Sequence, residues 1–250
     1  MTDPLSPWAS AAGIAAAVAR GDVSAAEVTE AALARIAAVD AGLSAFTDVT
    51  AERARAAAAA VDAARAAGRP LGPLAGAPYA VKNLFDVKGL ATRAGSKINR
   101  DRAPAVEDAL LVKRLDAAGA VLLGALNMGE FAYDFTGENA HDGACRNPHD
   151  PSRMTGGSSS GSGAATAAGL APVSLGSDTN GSLRVPASLC GVYSLKPTYG
   201  RLPRTGAFPF VDSLDHLGPF ARTAEDLALA YDAMQGADGS DHACAPRRSD

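Results

Sequence analysis

Histidine, cysteine and aromatic residues are scarce in this chain of 250 residues: four histidines, three cysteines and 5% aromatics. Cys145, Cys190 and Cys244 lie far apart with no C-x-x-C pair, which argues against a disulfide framework or a structural zinc site and for a reducing compartment. No metal and no cofactor is expected. Basic residues are not in surplus either, because Lys and Arg total 23 against 27 for Asp and Glu, giving a formal charge of −4. Direct nucleic-acid binding is therefore not expected. No window reaches the ~18 apolar residues of a membrane span, and the first 30 residues lack a basic segment followed by an unbroken apolar one. The expectation is a cytoplasmic protein with no membrane association.

What the chain has is 47% hydrophobic content, enough to bury a substantial core. The first third reads as helices. Ser6-Pro7 announces one over residues 8–20, and Ser24-Ala25-Ala26-Glu27 fits a capping box ahead of a second, in which Val28, Ala32, Ile36 and Val39 share a face. A third, Ala-rich helix is expected from about 51 to 67, before Gly68 and Pro70. Past Pro73 short apolar runs at 77–81, 120–123 and 171–175 alternate with helical segments, one of them at 106–118. That alternation predicts an α/β protein with a sheet under helical cover. Thr223-Ala224-Glu225-Asp226 starts a last helix that stops at Gly236. The expected division is a helical region at 1–70, a core at 71–236 and a polar tail at 237–250.

Two segments carry unusual chemistry. The first is Gly156-Gly157-Ser158-Ser159-Ser160-Gly161-Ser162-Gly163, followed at once by an Ala-rich stretch. A flexible linker seldom leads straight into an apolar helix and strand. A phosphate-binding loop would need a closing Gly-Lys-Ser or Gly-Lys-Thr, which is missing. Gly157-Ser158-Ser159-Ser160-Gly161 does satisfy the G-x-S-x-G pattern of a nucleophile elbow centred on Ser159. Such an elbow needs a strand immediately before it, whereas residues 146–153 are polar and hold two prolines. It also needs a histidine, and His216 beside Asp215 is the one candidate after the serine in an apolar setting. The second segment, residues 176–186, ends an apolar run in a turn holding Ser182. Its successive backbone N–H groups can form an anion-binding concavity, and the same sequence also suits a turn with a capping serine.

Taken together, G-G-S-S-S-G at 156–161 and G-S-L-R-V-P at 181–186, with Ser158 and Ser182 24 positions apart, resemble the amidase signature. The likeness continues through the lysine segment at 74–83 and through 191–201 and 213–219, and covers most of residues 10–236. It implies the amidase-signature fold, a mixed twisted sheet covered by helices on both faces. Members normally run well past 250 residues, so an incomplete sheet with an exposed apolar face is expected at the C-terminal end.

Carried across position by position, the resemblance implies Ser182 as nucleophile, Ser158 as bridging serine and Lys82 as base, with a cis Gly157–Ser158 peptide. The backbone of Thr179, Asn180, Gly181 and Ser182 resembles the family's oxyanion hole. A lysine serves as base only when neutral, which requires burial, and Lys82 sits among apolar neighbours. Of the five lysines Lys88, Lys97 and Lys113 have polar or helix-surface settings, leaving Lys196 as the competitor. Asp178 is expected to brace the Ser182 loop, and Arg184 either to bind a substrate carboxylate or to hold an ion pair. Phe131 and Tyr133 are candidates for a pocket wall. Asn180 and Ser160 stand where many members have glycine. The implied activity is hydrolysis of a small amide or urea-type C–N bond through an acyl-enzyme, carboxybiuret-like substrates fitting best. A glutaminase-type amidotransferase subunit, or a non-catalytic amidase-like interaction subunit, is the alternative. A small helical partner subunit or a homo-oligomer is expected.

Overall fold

A computed structural model describes residues 2–245. Of the polar tail expected at 237–250, residues 246–250 lie outside the described residues.

The first helix, α1 (Ala11–Arg20), begins three residues later than expected, because Ser10 rather than Ser6 takes the N-cap and accepts from Gly13 N–H. Trp8 stays outside it, against the Arg222 guanidinium. In α2 (Ala25–Val39) both halves of the Ser24–Glu27 capping box form. Strand β1 (Phe46–Val49) leads to α3 (Ala51–Ala66), whose buried face is only Ala54 and Ala58. Strand β2 (Pro78–Lys82) is followed by α4 (Leu110–Ala117) and β3 (Val121–Leu126).

The helix expected from 106 starts at Leu110 instead. Its forerunner bonds to the loop after β2: Gly89 N–H donates to Ala105 O, Ala105 N–H to Leu90 O and Ala109 N–H to Asp86 O. Those tertiary bonds engage backbone groups that another helical turn would need.

Residues 146–154 form a small hairpin, β4 (Arg146–Asn147) and β5 (Asp150–Met154), where the polar, proline-containing sequence gave no strand signal. Pro148 sits in the turn, and the pair makes a sheet of its own, so neither proline interrupts the main one. Then come α5 (Ser160–Ala167), β6 (Val173–Asp178), α6 (Arg184–Cys190), β7 (Tyr193–Ser194), β8 (His216–Ala221) and α7 (Ala224–Met234).

The main sheet has the order β1-β3-β2-β6-β8-β7. Strands β3, β2 and β6 run parallel, while β1 and β8 pair antiparallel on either side and β7 pairs antiparallel with β8. Every residue of β2, β3 and β6 is buried, which requires cover on both faces. The alternation of β2 shows which helices supply it. Tyr79 points its hydroxyl at Asp116 of α4, 2.8 Å away, whereas Lys82, three positions on, meets the serines that lead into α5. Helix α5 docks on β6 through small polar contacts: Ser162 Oγ donates to Leu175 O at 2.8 Å and Thr166 Oγ1 lies 2.8 Å from Ser174 Oγ. No helix among the described residues is long and apolar enough to cross a membrane.

Candidate active site

Parallel β2 and β6 bring Lys82 and Ser177 to the same end of the sheet, and the turn into α5 lies across them. Lys82 is fully buried. Its Nζ donates to Ser158 Oγ at 2.7 Å, Ser177 Oγ at 2.9 Å and Ser159 Oγ at 3.0 Å. Ser159 Oγ in turn donates to Ser177 O at 3.1 Å, closing a small polar cage inside an apolar surround. Gly176 keeps that cage open, since a β-carbon there would lie 2.7 Å from Ser159 Oγ. Burial pulls the Lys82 ammonium down to about 7, against the opposing fields of Asp134, Asp178 and Asp215. A large fraction of a lysine so placed is uncharged at neutral pH and can take up a proton. Lys196 is only partly buried, and the other three lysines are exposed. The Gly157–Ser158 peptide is cis.

Beyond β6 the chain turns through Asp178-Thr179-Asn180-Gly181-Ser182 into α6. Asp178 organises this turn: Oδ1 accepts from Gly181 N–H at 2.7 Å and Oδ2 from Leu183 N–H at 3.2 Å. Burial alone would raise the Asp178 carboxyl, yet the Arg184 guanidinium and these two N–H groups hold it below its ordinary value. Arg184 grips the same carboxylate with Nε and Nη2, both at 3.0 Å. Of the two roles expected for Arg184, the ion pair is the one formed here. Gly181 adopts φ +136°, a region that side chains rarely enter. Its N–H is held by Asp178, so Gly181 departs from the expected set of anion-binding donors. The N–H groups of Thr179, Asn180 and Ser182 make no hydrogen bond among the described residues.

Ser182 is 4% exposed and lines a cleft of about 390 Å³ together with Thr179, Asn180, Ala132, Tyr133, Phe135 and Phe210. Its hydroxyl makes no hydrogen bond among the described residues, Ser158 included. Of the two aromatic wall candidates, Tyr133 lines the cleft edge-on to Phe210. Phe131 turns away and packs on Phe208, with ring centroids 5.8 Å apart. The elbow pattern around Ser159 has no histidine beside it, because His216 Nδ1 lies against Leu214 O and its ring meets Tyr199.

Sequence reasoning missed Ser177, Phe135 and Phe210. Ser177 carried a faint signal, a polar residue closing an apolar run one position before Asp178. The two phenylalanines come from loops, where nothing local announces a cleft wall. Among the described residues no group of three or more His, Cys, Asp or Glu side chains is arranged to hold a metal ion.

These features coincide with a family-level match. The family described as Amidase matches residues 27–250, and the chain belongs to the amidase-signature family. It is 65% identical over 231 residues to AtzE, a 1-carboxybiuret hydrolase subunit of Pseudomonas sp. (strain ADP), a match covering 92% of this chain and 50% of that protein. It is 52% identical over 237 residues to a glutamyl-tRNA(Gln) amidotransferase subunit of Salinispora arenicola (strain CNS-205), covering 95% of this chain and 48% of that one. A solved structure of a vestigial protein complex, described as revealing the evolutionary origins of an s-triazine catabolic enzyme, superposes with a TM-score of 0.95 at 63% identity. That superposition covers 96% of this chain and 52% of the other. The chain thus spans about half the length of the curated relatives it matches.

Proposed function

We propose that the chain carries the serine centre of an amidohydrolase that cleaves a small amide or urea-type C–N bond, with Ser182 as nucleophile, Ser158 as relay and Lys82 as base. The observation that carries this reading is the buried Lys82 Nζ, 2.7 Å from Ser158 Oγ, behind a cleft lined by Ser182. In the first step Ser182 Oγ attacks the carbonyl carbon while its proton passes to Ser158, whose own proton passes to neutral Lys82. The N–H groups of Thr179, Asn180 and Ser182 are the donors available to the developing oxyanion. Collapse breaks the C–N bond, and the proton returns along the relay to the departing ammonia or amine. Water then attacks the acyl-Ser182 by the same route and releases the acid. Engaging the relay requires the Ser182 hydroxyl to form a hydrogen bond to Ser158.

Similarity to the carboxybiuret hydrolase subunit supports a small carboxybiuret-like substrate, and that relative's description as a subunit supports a partner. A small helical subunit fits this better than a homo-oligomer. The placement that goes with such chemistry is cytoplasmic. A glutaminase-type amidotransferase subunit is the second reading, favoured by the 52% identity to the amidotransferase chain of Salinispora arenicola.

Ammonia release from biuret, glutamine and simple carboxamides, compared between the chain and its Ser182→Ala variant, tests the proposal. The serine mechanism predicts a loss on the order of 10⁴-fold or more in the variant. Equal rates in the two proteins would remove Ser182 from the chemistry. Release from glutamine alone would select the amidotransferase reading, and a chain inert toward every substrate would favour an interaction subunit.

A further inference from the structure

The turn at 134–137 belongs to neither serine motif, yet it lies directly on the Gly157–Ser158 peptide. Asp134 Oδ1 accepts from Thr136 N–H at 2.8 Å, Thr136 Oγ1 at 2.9 Å and Gly137 N–H at 2.9 Å, closing the turn from within. Two glycines admit it. A β-carbon at Gly157 would lie 3.0 Å from Asp134 O and 3.1 Å from Asp134 Oδ1, and one at Gly129 would collide with Asp134 Oδ2. The same backbones are tied to the loop, Gly157 N–H donating to Phe135 O at 2.9 Å and Gly129 N–H to Ser158 O at 3.0 Å.

Three carboxylates act on Lys82, those of Asp134, Asp178 and Asp215, while its direct contacts Ser158, Ser159 and Ser177 are neutral. They are not equivalent. Asp178 is paired with Arg184, and Asp215 is enclosed by the Thr179 hydroxyl and the N–H groups of Phe210 and Val211. Asp134 has no ion-pair partner among the described residues. Like Asp215 and unlike Asp178, it carries its charge with no cation beside it; what sets Asp134 apart is its turn on the Gly157–Ser158 peptide.

We propose that Asp134 is a positioning residue for the Lys82–Ser158 pair: its turn pins the Gly157–Ser158 peptide, and its unpaired charge steadies a proton on the buried lysine. The inference rests on the reading of Lys82 as base. Burial alone would leave Lys82 a weak proton acceptor, and a fixed negative charge nearby restores basicity without an ion pair that would lock the ammonium in place.

The test is the side-chain titration of Lys82, followed by NMR in the full chain labelled with ¹³C-lysine and assigned by the signal lost in Lys82→Arg. Asp134→Asn keeps the acceptor oxygen of the turn and removes the charge. Its Lys82 midpoint is expected to fall by at least about half a pH unit, since a lost negative neighbour disfavours the ammonium. An unchanged midpoint would overturn the electrostatic role. The clamp is read separately, as the rate at which phenylmethanesulfonyl fluoride modifies Ser182 at a pH above the midpoint. Asp134→Asn is expected to stay within about threefold of the parent, and Asp134→Ala to slow by more than about tenfold. Asp134→Glu, which keeps the charge but overfills the space between the glycines, is expected to hold the midpoint and slow the modification. If Asp134→Ala reacts as fast as Asp134→Asn, the clamp is wrong. A Ser182→Ala variant modified as fast as the parent would defeat the catalytic reading instead, and the lysine titration still judges Asp134.

Discussion

On one side of Ser182 stand Lys82, Ser158 and Ser159, all fully buried, with Lys82 Nζ joined to the two serines by hydrogen bonds of 2.7 and 3.0 Å. On the other stand Tyr133 at 77% exposure, Phe135 at 45% and Phe210 at 38%, with one ring contact among them, Tyr133 edge-on to Phe210. The first side hangs on β2, β6 and the start of α5, elements buried throughout. The second hangs on loops. The proposed proton relay needs fixed distances and exclusion of water, which the sheet supplies; the recognition proposed for the cleft needs contact with whatever it admits, which loops supply. The difference implies that substitutions on the buried side change the chemistry and those on the open side change affinity.

The most forceful way to break that division is at Lys82. Lys82→Met keeps the approximate length and the apolar packing of the side chain but removes the amine proposed as proton acceptor. The expected outcome is a fall in kcat on the order of 10²–10⁴-fold with little change in KM. Its pH dependence sharpens the point. With the Lys82 ammonium at about 7, kcat/KM should fall tenfold per pH unit below about 7 and level off above it. Stability follows the same shift. The folded midpoint lies below the unfolded value of ~10.4, so burial destabilises the fold most below about 7, and that cost is relieved as pH rises from about 7 toward ~10.4. Urea titrations at several pH values should therefore show the parent gaining stability across that window relative to Lys82→Met. Parallel pH curves for the two proteins would contradict a Lys82 midpoint lowered by burial.

The buried side was also the more legible in the sequence. The two serine motifs and the lysine segment carried the family resemblance that implied Ser158, Ser182 and Lys82, because those motifs are contiguous in sequence. The capping box of α2 and the apolar runs that became β2, β3 and β6 were readable for the same reason. Strand β8 was not, since Pro219 sits inside it. Its carbonyl accepts from Leu195 N–H beyond the two-residue edge strand β7, so the missing N–H points to that side and costs β6 nothing. The late start of α4 depends on bonds to residues 86–90, about twenty positions earlier in sequence, and the cleft partners Phe135 and Phe210 come from loops 75 positions apart. Non-local pairing leaves no periodicity to read.

Between the two sides lies Asp178, which joins the sheet to the Ser182 turn. Asp178→Ala leaves the N–H groups of Gly181 and Leu183 without acceptors in a buried setting, a cost of about 2–3 kcal/mol by thermal or urea unfolding. The lost Arg184 contact adds little, because that side chain is 58% exposed. Displacing the turn also misplaces the N–H groups proposed as oxyanion donors, so kcat should fall by about 10². Asp178→Asn keeps one acceptor oxygen and should lose less on both counts. If stability fell while kcat held, Asp178 would be a structural brace alone.

The smallest effects belong to the open side. Tyr133→Ala and Phe210→Ala remove rings that meet edge-on at 6.0 Å, a contact worth about 0.5–1.5 kcal/mol, and each wall lies against the cleft rather than the core. KM should rise about two- to fivefold with kcat nearly unchanged, and unfolding should shift by less than about 0.5 kcal/mol for Tyr133. The double variant should raise KM by less than the product of the two single effects, because each truncation already abolishes the shared ring contact. A large fall in kcat from either single change would mean that the loop wall holds Ser182 in place, and the separation of chemistry from recognition would not stand.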